Sequence, residues 1–349
     1  MASNLKWLCL ALVLDCRATP ANKPATLSIF DRTFSPADGL GPLYVADRCS
    51  ACHAGAQSTR VTKFAQVDSD GHTPTPGQPL APYGNTVRAQ LAAGAKTRVF
   101  PPEVLSVVVT QRLSPSLAGR GAIDAVSDAA ILAAEAAQAG SALAGHANRL
   151  ADTSIGRYGL KAREPSAREF IADALQLDMG LTTSLRPNEL ANPDRIIDDD
   201  RAGVDLDDGT LQAFVDEVLA RNAPPERGSA VGRALFAAVG CASCHVPSLR
   251  TRDGGQGVFI YSDLLLHDLG DSLADGIVEG SAGSRDWRTT PLIDLAASLR
   301  FLHDGRANSI AEAIAWHASN GSQANSVVDA FNELSGDDRA VLQEFVLSL

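Results

Sequence analysis

The pentapeptide Cys-x-x-Cys-His occurs twice in this chain, as Cys49-Ser50-Ala51-Cys52-His53 and Cys241-Ala242-Ser243-Cys244-His245. No other feature constrains the fold as much. Two thiols about one helical turn apart reach the two vinyl groups of a single porphyrin, and the residue after the second thiol lies beneath the iron. Each motif therefore specifies one covalently bound haem c, with His53 and His245 as iron ligands, and the chain must wrap two porphyrins. The same four thiols could in principle form a zinc ribbon. Such a site needs no His after each pair, and pairs this far apart in sequence do not make a compact zinc module.

The chain opens with Lys6 and the short apolar run Trp7-Leu8-Cys9-Leu10-Ala11-Leu12-Val13-Leu14. This pattern predicts an export signal over residues 1–21, cleaved after Ala18 or Ala21, which removes Cys9 and Cys16 and leaves only haem cysteines. Leu14-Asp15-Cys16 weakly matches a lipoprotein cleavage site, but Asp15 stands where a small residue is required. No other apolar stretch is long enough to span a membrane, so the mature protein is expected in the periplasm. A net charge of −11 argues against nucleic acid as a partner, because a phosphate-binding surface needs clustered Lys and Arg. A basic electron-transfer protein suits that charge better.

Both haem motifs follow a Leu and an aromatic residue, Leu43-Tyr44 and Leu235-Phe236, so a short helix packing on porphyrin is expected before each. Runs such as Ile131-Leu132-Ala133-Ala134-Glu135-Ala136-Ala137 predict helix between the motifs. The fold class that follows is mainly α, with two cytochrome c-like haem domains, the first enlarged by helical and loop insertions. The Pro- and Gly-rich stretch 222–228 marks the linker, dividing the chain into 22–222 and 223–349. The acidic segment 192–208 fails as a calcium loop, since Asp198, Asp200 and Gly203 lack the later Glu. It reads as a solvated face.

The sixth iron ligand separates an electron carrier from a catalyst. Five other His residues and Met179 are available. Ser309-Ile310-Ala311-Glu312 is a capping box, so a helix should start there and place Ile310, Ile314 and His317 on one face. In a haem domain without Met, His317 is the expected second ligand to the His245 iron. For the His53 iron the sequence leaves three options open: His72 in the loop Asp70-Gly71-His72-Thr73-Pro74, Met179, or an open or water-bound position.

Further segments carry a family resemblance. Asp286-Trp287-Arg288-Thr289-Thr290-Pro291-Leu292, Phe301-Leu302-His303-Asp304-Gly305-Arg306, Tyr261 to Gly270, Leu273-Ala274-Asp275-Gly276, Arg157 to Ala162 and Asp178-Met179-Gly180-Leu181-Thr182 resemble the bacterial di-haem cytochrome c peroxidase superfamily, and within it the di-haem oxidoreductases. In those peroxidases a Met fourteen residues after the His of a His-x-Gly segment binds the C-terminal haem iron. His317 holds that position here, and His/His ligation lowers the potential relative to Met/His. The resemblance puts Asp178 in the place of the acid that assists peroxide reduction, with Met179 beside it as pocket lining or ligand. A surface carboxylate is the plain alternative for Asp178. The resemblance assigns His267 and His303 to the haem environment, through propionates or the domain interface, and Trp287 to the space between the haems or to interface packing.

The function this implies is a periplasmic di-haem oxidoreductase that passes electrons from the C-terminal to the N-terminal haem to reduce a small oxidant such as hydrogen peroxide. Its donor would be a small cytochrome or cupredoxin. Two other readings stay open: a non-enzymatic di-haem electron carrier, and long-range oxidation of a partner protein.

Overall fold

The computed structural model describes residues 28–53, 59–66, 84–92, 94–101, 107–196, 203–255 and 257–349. The expected export signal, His72 and Asp198 to Asp200 lie outside the described residues. Helix accounts for 34% and strand for 15% of the chain, so mainly α is too simple a description: short helices, two-stranded sheets and long ordered loops share the work. The reason is visible in composition, since 29 Gly and 18 Pro interrupt helix and strand alike.

The described strands pair only in antiparallel twos: β1 (Leu43–Tyr44) with β3 (Gln90–Leu91), β2 (Arg60–Gln66) with β4 (Val107–Leu113), β5 (Ser248–Leu249) with β6 (Val258–Phe259), and β7 (Leu266–Asp268) with β8 (Asp286–Arg288). The helices are α1 (Arg120–Ala125), α2 (Asp128–Gln138), α3 (Ala167–Ala174), α4 (Asp208–Leu219), α5 (Ala230–Ala238), α6 (Ile310–Trp316), α7 (Asn325–Glu333) and α8 (Gly336–Leu347). Most start on a local signal. Ser127, Ser166, Asp207, Ser229, Ser309 and Ser335 each accept a hydrogen bond from a backbone N–H of the first turn.

Of the two expected helices before the haem motifs, only one forms. Leu235 and Phe236 lie on α5, but Leu43 and Tyr44 are the strand β1. Gly39 and Gly41 adopt φ of 95° and 110°, and Pro42 has no N–H to give, so the approach to Leu43 cannot wind into a helix. The thiol-bearing turns are nevertheless alike. Cys49–Ala51 and Cys241–Ser243 are single 3₁₀ turns, and the N–H groups of His53 and His245 donate to the carbonyls of Cys49 and Cys241 at 3.1 and 3.0 Å.

α5 packs tightly on α8. A Cβ at Gly232 would stand 2.4 Å from the Cβ of Phe345, so only glycine permits this approach. Phe236, Tyr261 and Phe345 fill the space above it with ring centroids 5.6 to 6.0 Å apart. Another apolar cluster joins Ile123, Ile131 and Tyr158 to Ile260, Leu264 and Leu265, so the core crosses the linker at residues 222–228. No helix among the described residues is long and apolar enough to cross a membrane.

Candidate functional site

Each Cys-x-x-Cys-His turn opens onto its own cleft. The first cleft, about 200 Å³, is lined by Cys49, Cys52 and His53, with Lys63, Arg112, Asp178 and Met179. The second, about 300 Å³, is lined by Cys241, Cys244 and His245, with His267, Trp287, His303 and His317. Leu113, Ser114, Pro115, Arg120, Leu160 and Arg288 line both clefts and so form a shared wall.

The two motif histidines are aimed in the same way. His53 Nδ1 lies 2.9 Å from the carbonyl oxygen of Pro115, and His245 Nδ1 lies 3.0 Å from that of Tyr261. A carbonyl only accepts, so Nδ1 carries the proton in each and Nε2 keeps its lone pair for a metal. His317 repeats the device. It caps the C-terminus of α6, and its Nδ1 donates to the Ala313 carbonyl at 2.7 Å. Burial keeps all three rings neutral: His245 is pushed down to about 4, with the His317 ring adding to the effect, and His53 and His317 are lowered as well. Neutral imidazole is the ligating form.

The four motif cysteines form no disulfide. Burial raises the thiols, Cys49 and Cys241 to about 12 and Cys52 to about 11, the last also through the charge of Asp178. At neutral pH these three are thiols rather than thiolates. The shared wall supplies a second test of the fit to haem. The guanidiniums of Arg120 and Arg288 are bonded to the main-chain carbonyls of Ser116, and of Gly159 and Thr289. Neither meets a carboxylate within ion-pair distance among the described residues. Arg288, only 6% exposed, is lowered to about 9 by burial and by the nearby Arg120. A buried and a half-buried cation, Arg288 and Arg120, both lacking counter-charge, suit a group that brings its own carboxylates, and haem carries two propionates.

Trp287 lies in the wall of the second cleft and does not line the first. Its indole N–H donates to the Leu273 carbonyl at 2.9 Å, and His303 stacks on it with centroids 3.8 Å apart and planes 15° apart. The Lys161 ammonium sits over the ring at 4.4 Å. Burial pushes His303 down to about 4, leaving it neutral. Met179 is buried against Phe34, Leu40 and Leu175 at the edge of the first cleft. Asp178, beside it, occupies the π-helical turn Leu175–Met179 that continues α3. That turn stops at Gly180, φ 75°, where any Cβ would meet the Gly41 carbonyl oxygen at 2.3 Å.

Sequence reasoning missed Lys63, Arg112 and Arg120, because isolated basic residues carry no local pattern, and gave no role to Arg288, although it stands in a segment that carries the family resemblance. It also placed His267 only loosely. The ring is buried with Nε2 2.9 Å from Asp263 Oδ2 and Nδ1 3.6 Å from the Cys244 sulfur. Burial opposes protonation of His267, but the bonds to Asp263 and Cys244 win and raise it to about 10. The Asp263-x-x-x-His267 spacing was a visible signal for this pair.

The sign of its pH dependence follows directly. His267 contributes fully below its ordinary value of 6.5 and loses that contribution as pH rises through about 10. Asp263 is lowered despite its burial, so its share is present above 3.8 and disappears as pH falls through its lower folded value. Asp263→Asn is expected to destabilise the fold by about 3 kcal/mol near pH 6 and by clearly less at about pH 10.5. Urea unfolding at the two pH values checks this, and an equal cost at both refutes it.

Two clefts, each with a neutral, half-buried imidazole beside a thiol pair, and a cationic wall between them, define a protein built to hold two haems for oxidation and reduction. The family model described as "Di-haem oxidoreductase, putative peroxidase" matches residues 81–349, and the chain belongs to that family. Comparison with curated proteins gave no match. Among solved structures, a chain of Kuenenia stuttgartiensis hydrazine synthase pressurised with 20 bar xenon aligns over 53% of this chain and 62% of that one. Its identity is 16% and its TM-score 0.30, a likeness that supports no functional argument.

Proposed function

We propose that this protein is a di-haem c-type oxidoreductase that reduces a small oxidant such as hydrogen peroxide at the first cleft, using electrons received at the second. One observation carries the reading: the clefts are chemically unequal. The second offers two half-buried imidazoles, His245 and His317, each with Nδ1 tied to a carbonyl. The first offers His53 together with a carboxylate, Asp178, whose Oδ1 is buried without a hydrogen-bond partner.

When bound, haem supplies the electron transfer and the Lewis acidity. The chain supplies the rest. Cys49, Cys52, Cys241 and Cys244 would anchor the porphyrins as thioethers, and His245 and His317 would both serve as protein ligands of the second iron. His53 would be the protein ligand of the first iron, which would stay able to take substrate. Asp178 can take a proton from one peroxide oxygen and return it to the other, which assists cleavage of the O–O bond. Reduction to two waters then requires two electrons and two protons. Residues 22–222 and 223–349 are the two haem units of this reading, with export to the periplasm and a small cytochrome or cupredoxin as donor.

The test is spectroscopic. The oxidised protein with both haems should show one low-spin iron and one with a high-spin component, and only the latter should bind cyanide or peroxide. Two low-spin irons that bind neither cyanide, peroxide nor carbon monoxide in any redox state overturn the reading. Met179, buried at the first cleft, would then be the ligand that makes the protein a simple electron carrier.

A further inference from the structure

Lys63 lies mid-strand on β2, where its neighbour Phe64 is buried in a small apolar cluster with Leu43 and Val99. Strand alternation sends the lysine to the opposite side, and it lines the first cleft. A long lysine stem normally carries its charge out to water. Here the side chain is only 14% exposed, and its ammonium stands 3.5 Å from Asp178 Oδ1. A hydrogen bond to the Thr86 hydroxyl steers it there. Thr86 is itself 1% exposed and belongs to the bridge pairing with Lys63, so the steering group is rigid.

The distance is informative. At 3.5 Å the ammonium neutralises part of the Asp178 charge without forming the short bond that would close the carboxylate off, and Oδ1 stays without a hydrogen-bond partner. Of the three ammonium protons, one serves Thr86 and one faces Asp178. The other cation lining this cleft from the same sheet, Arg112, is bound to Asp275 and Glu279 at 2.7 and 2.6 Å and has no charge to spare. Lys63 is thus the group from β2 and β4 whose positive charge acts on the cleft itself.

We propose that Lys63 is a positioning residue of the first cleft, holding Asp178 over its ligand-binding side and giving the cleft a preference for anionic over neutral small ligands. The proposal rests on the reading above that this cleft is open to exogenous ligands. It specifies a binding preference of the site: small anions are held more tightly than neutral molecules of similar size.

The experiment compares azide, an anion that binds ferric iron, with carbon monoxide, a neutral ligand of ferrous iron, on the protein carrying both haems. Absorbance titration gives each affinity. Lys63→Met and Lys63→Gln are expected to weaken azide about tenfold while leaving carbon monoxide within about twofold, and Lys63→Arg to restore azide binding. The glutamine variant keeps a donor for Thr86, so it covers the case in which the methionine variant does not fold. Unchanged azide affinity in the neutral variants overturns the proposal, as does equal weakening of both ligands, the mark of a purely structural lysine. If the wild-type protein binds neither ligand, the open first cleft itself is wrong, and this inference falls with it.

Discussion

His317→Ala is expected to convert the haem of the second cleft from low spin to high spin without releasing it from the polypeptide. The ring is half-buried, neutral and fixed through its Nδ1 bond of 2.7 Å to the Ala313 carbonyl, so its Nε2 is presented at no further conformational cost. Retention follows from the proposed thioether links to Cys241 and Cys244, which would hold the porphyrin independently of His317. Low-temperature electron paramagnetic resonance should show about half of the total iron changing spin state, and denaturing mass spectrometry should show an unchanged haem count. The variant should also gain cyanide binding at this iron. A low-spin signal that survives would assign the sixth position elsewhere, and His303→Ala is the control, because His303 lines the same cleft.

The second large effect is on stability. Arg112 donates to Glu279 and Asp275 at 2.6 and 2.7 Å, and Lys161 pairs with Asp275 at 3.1 Å, all with side chains no more than 8% exposed. Two cations balance two carboxylates, so the group is neutral as a whole and tolerable in the core. Arg112→Met leaves two carboxylates against one ammonium in a site closed to water, and the expected loss is about 3 to 5 kcal/mol in urea unfolding. Adding Glu279→Gln should recover a good part of it, since one of the stranded charges is then gone. A loss below about 1 kcal/mol would show that water reaches the site and screens it.

These residues also explain how one chain keeps its two clefts in register. Arg112 comes from β4, Lys161 from the loop before α3, and Asp275 and Glu279 from the segment before β8. Leu113, next to Arg112, donates its N–H to the His303 carbonyl at 2.7 Å, and the Pro115 carbonyl, two residues on, accepts from His53. The strand end therefore touches the motif histidine of one cleft and the Trp287–His303 stack of the other.

The features legible in the sequence are those written in a few neighbouring residues. The two thiol turns, the α6 start at Ser309 and the position of His317 at its end each depend on spacings of one to eight residues, and backbone hydrogen bonding imposes such spacings locally. The same holds for α2, read from its Ala- and Leu-rich run. The expected helix before Cys49 did not form, because Gly39, Gly41 and Pro42 outweigh the apolar pattern that follows them.

What the tertiary structure alone decided concerns charge. Lys63 and Asp178 are 115 positions apart, Arg112 and Glu279 are separated by 167, and the cationic wall of Arg120 and Arg288 draws on both halves of the chain. A lysine or arginine in a sequence is a surface residue by default, since solvation favours that outcome. Only the completed fold, by removing water around these few, turns them into groups that set the polarity of each cleft.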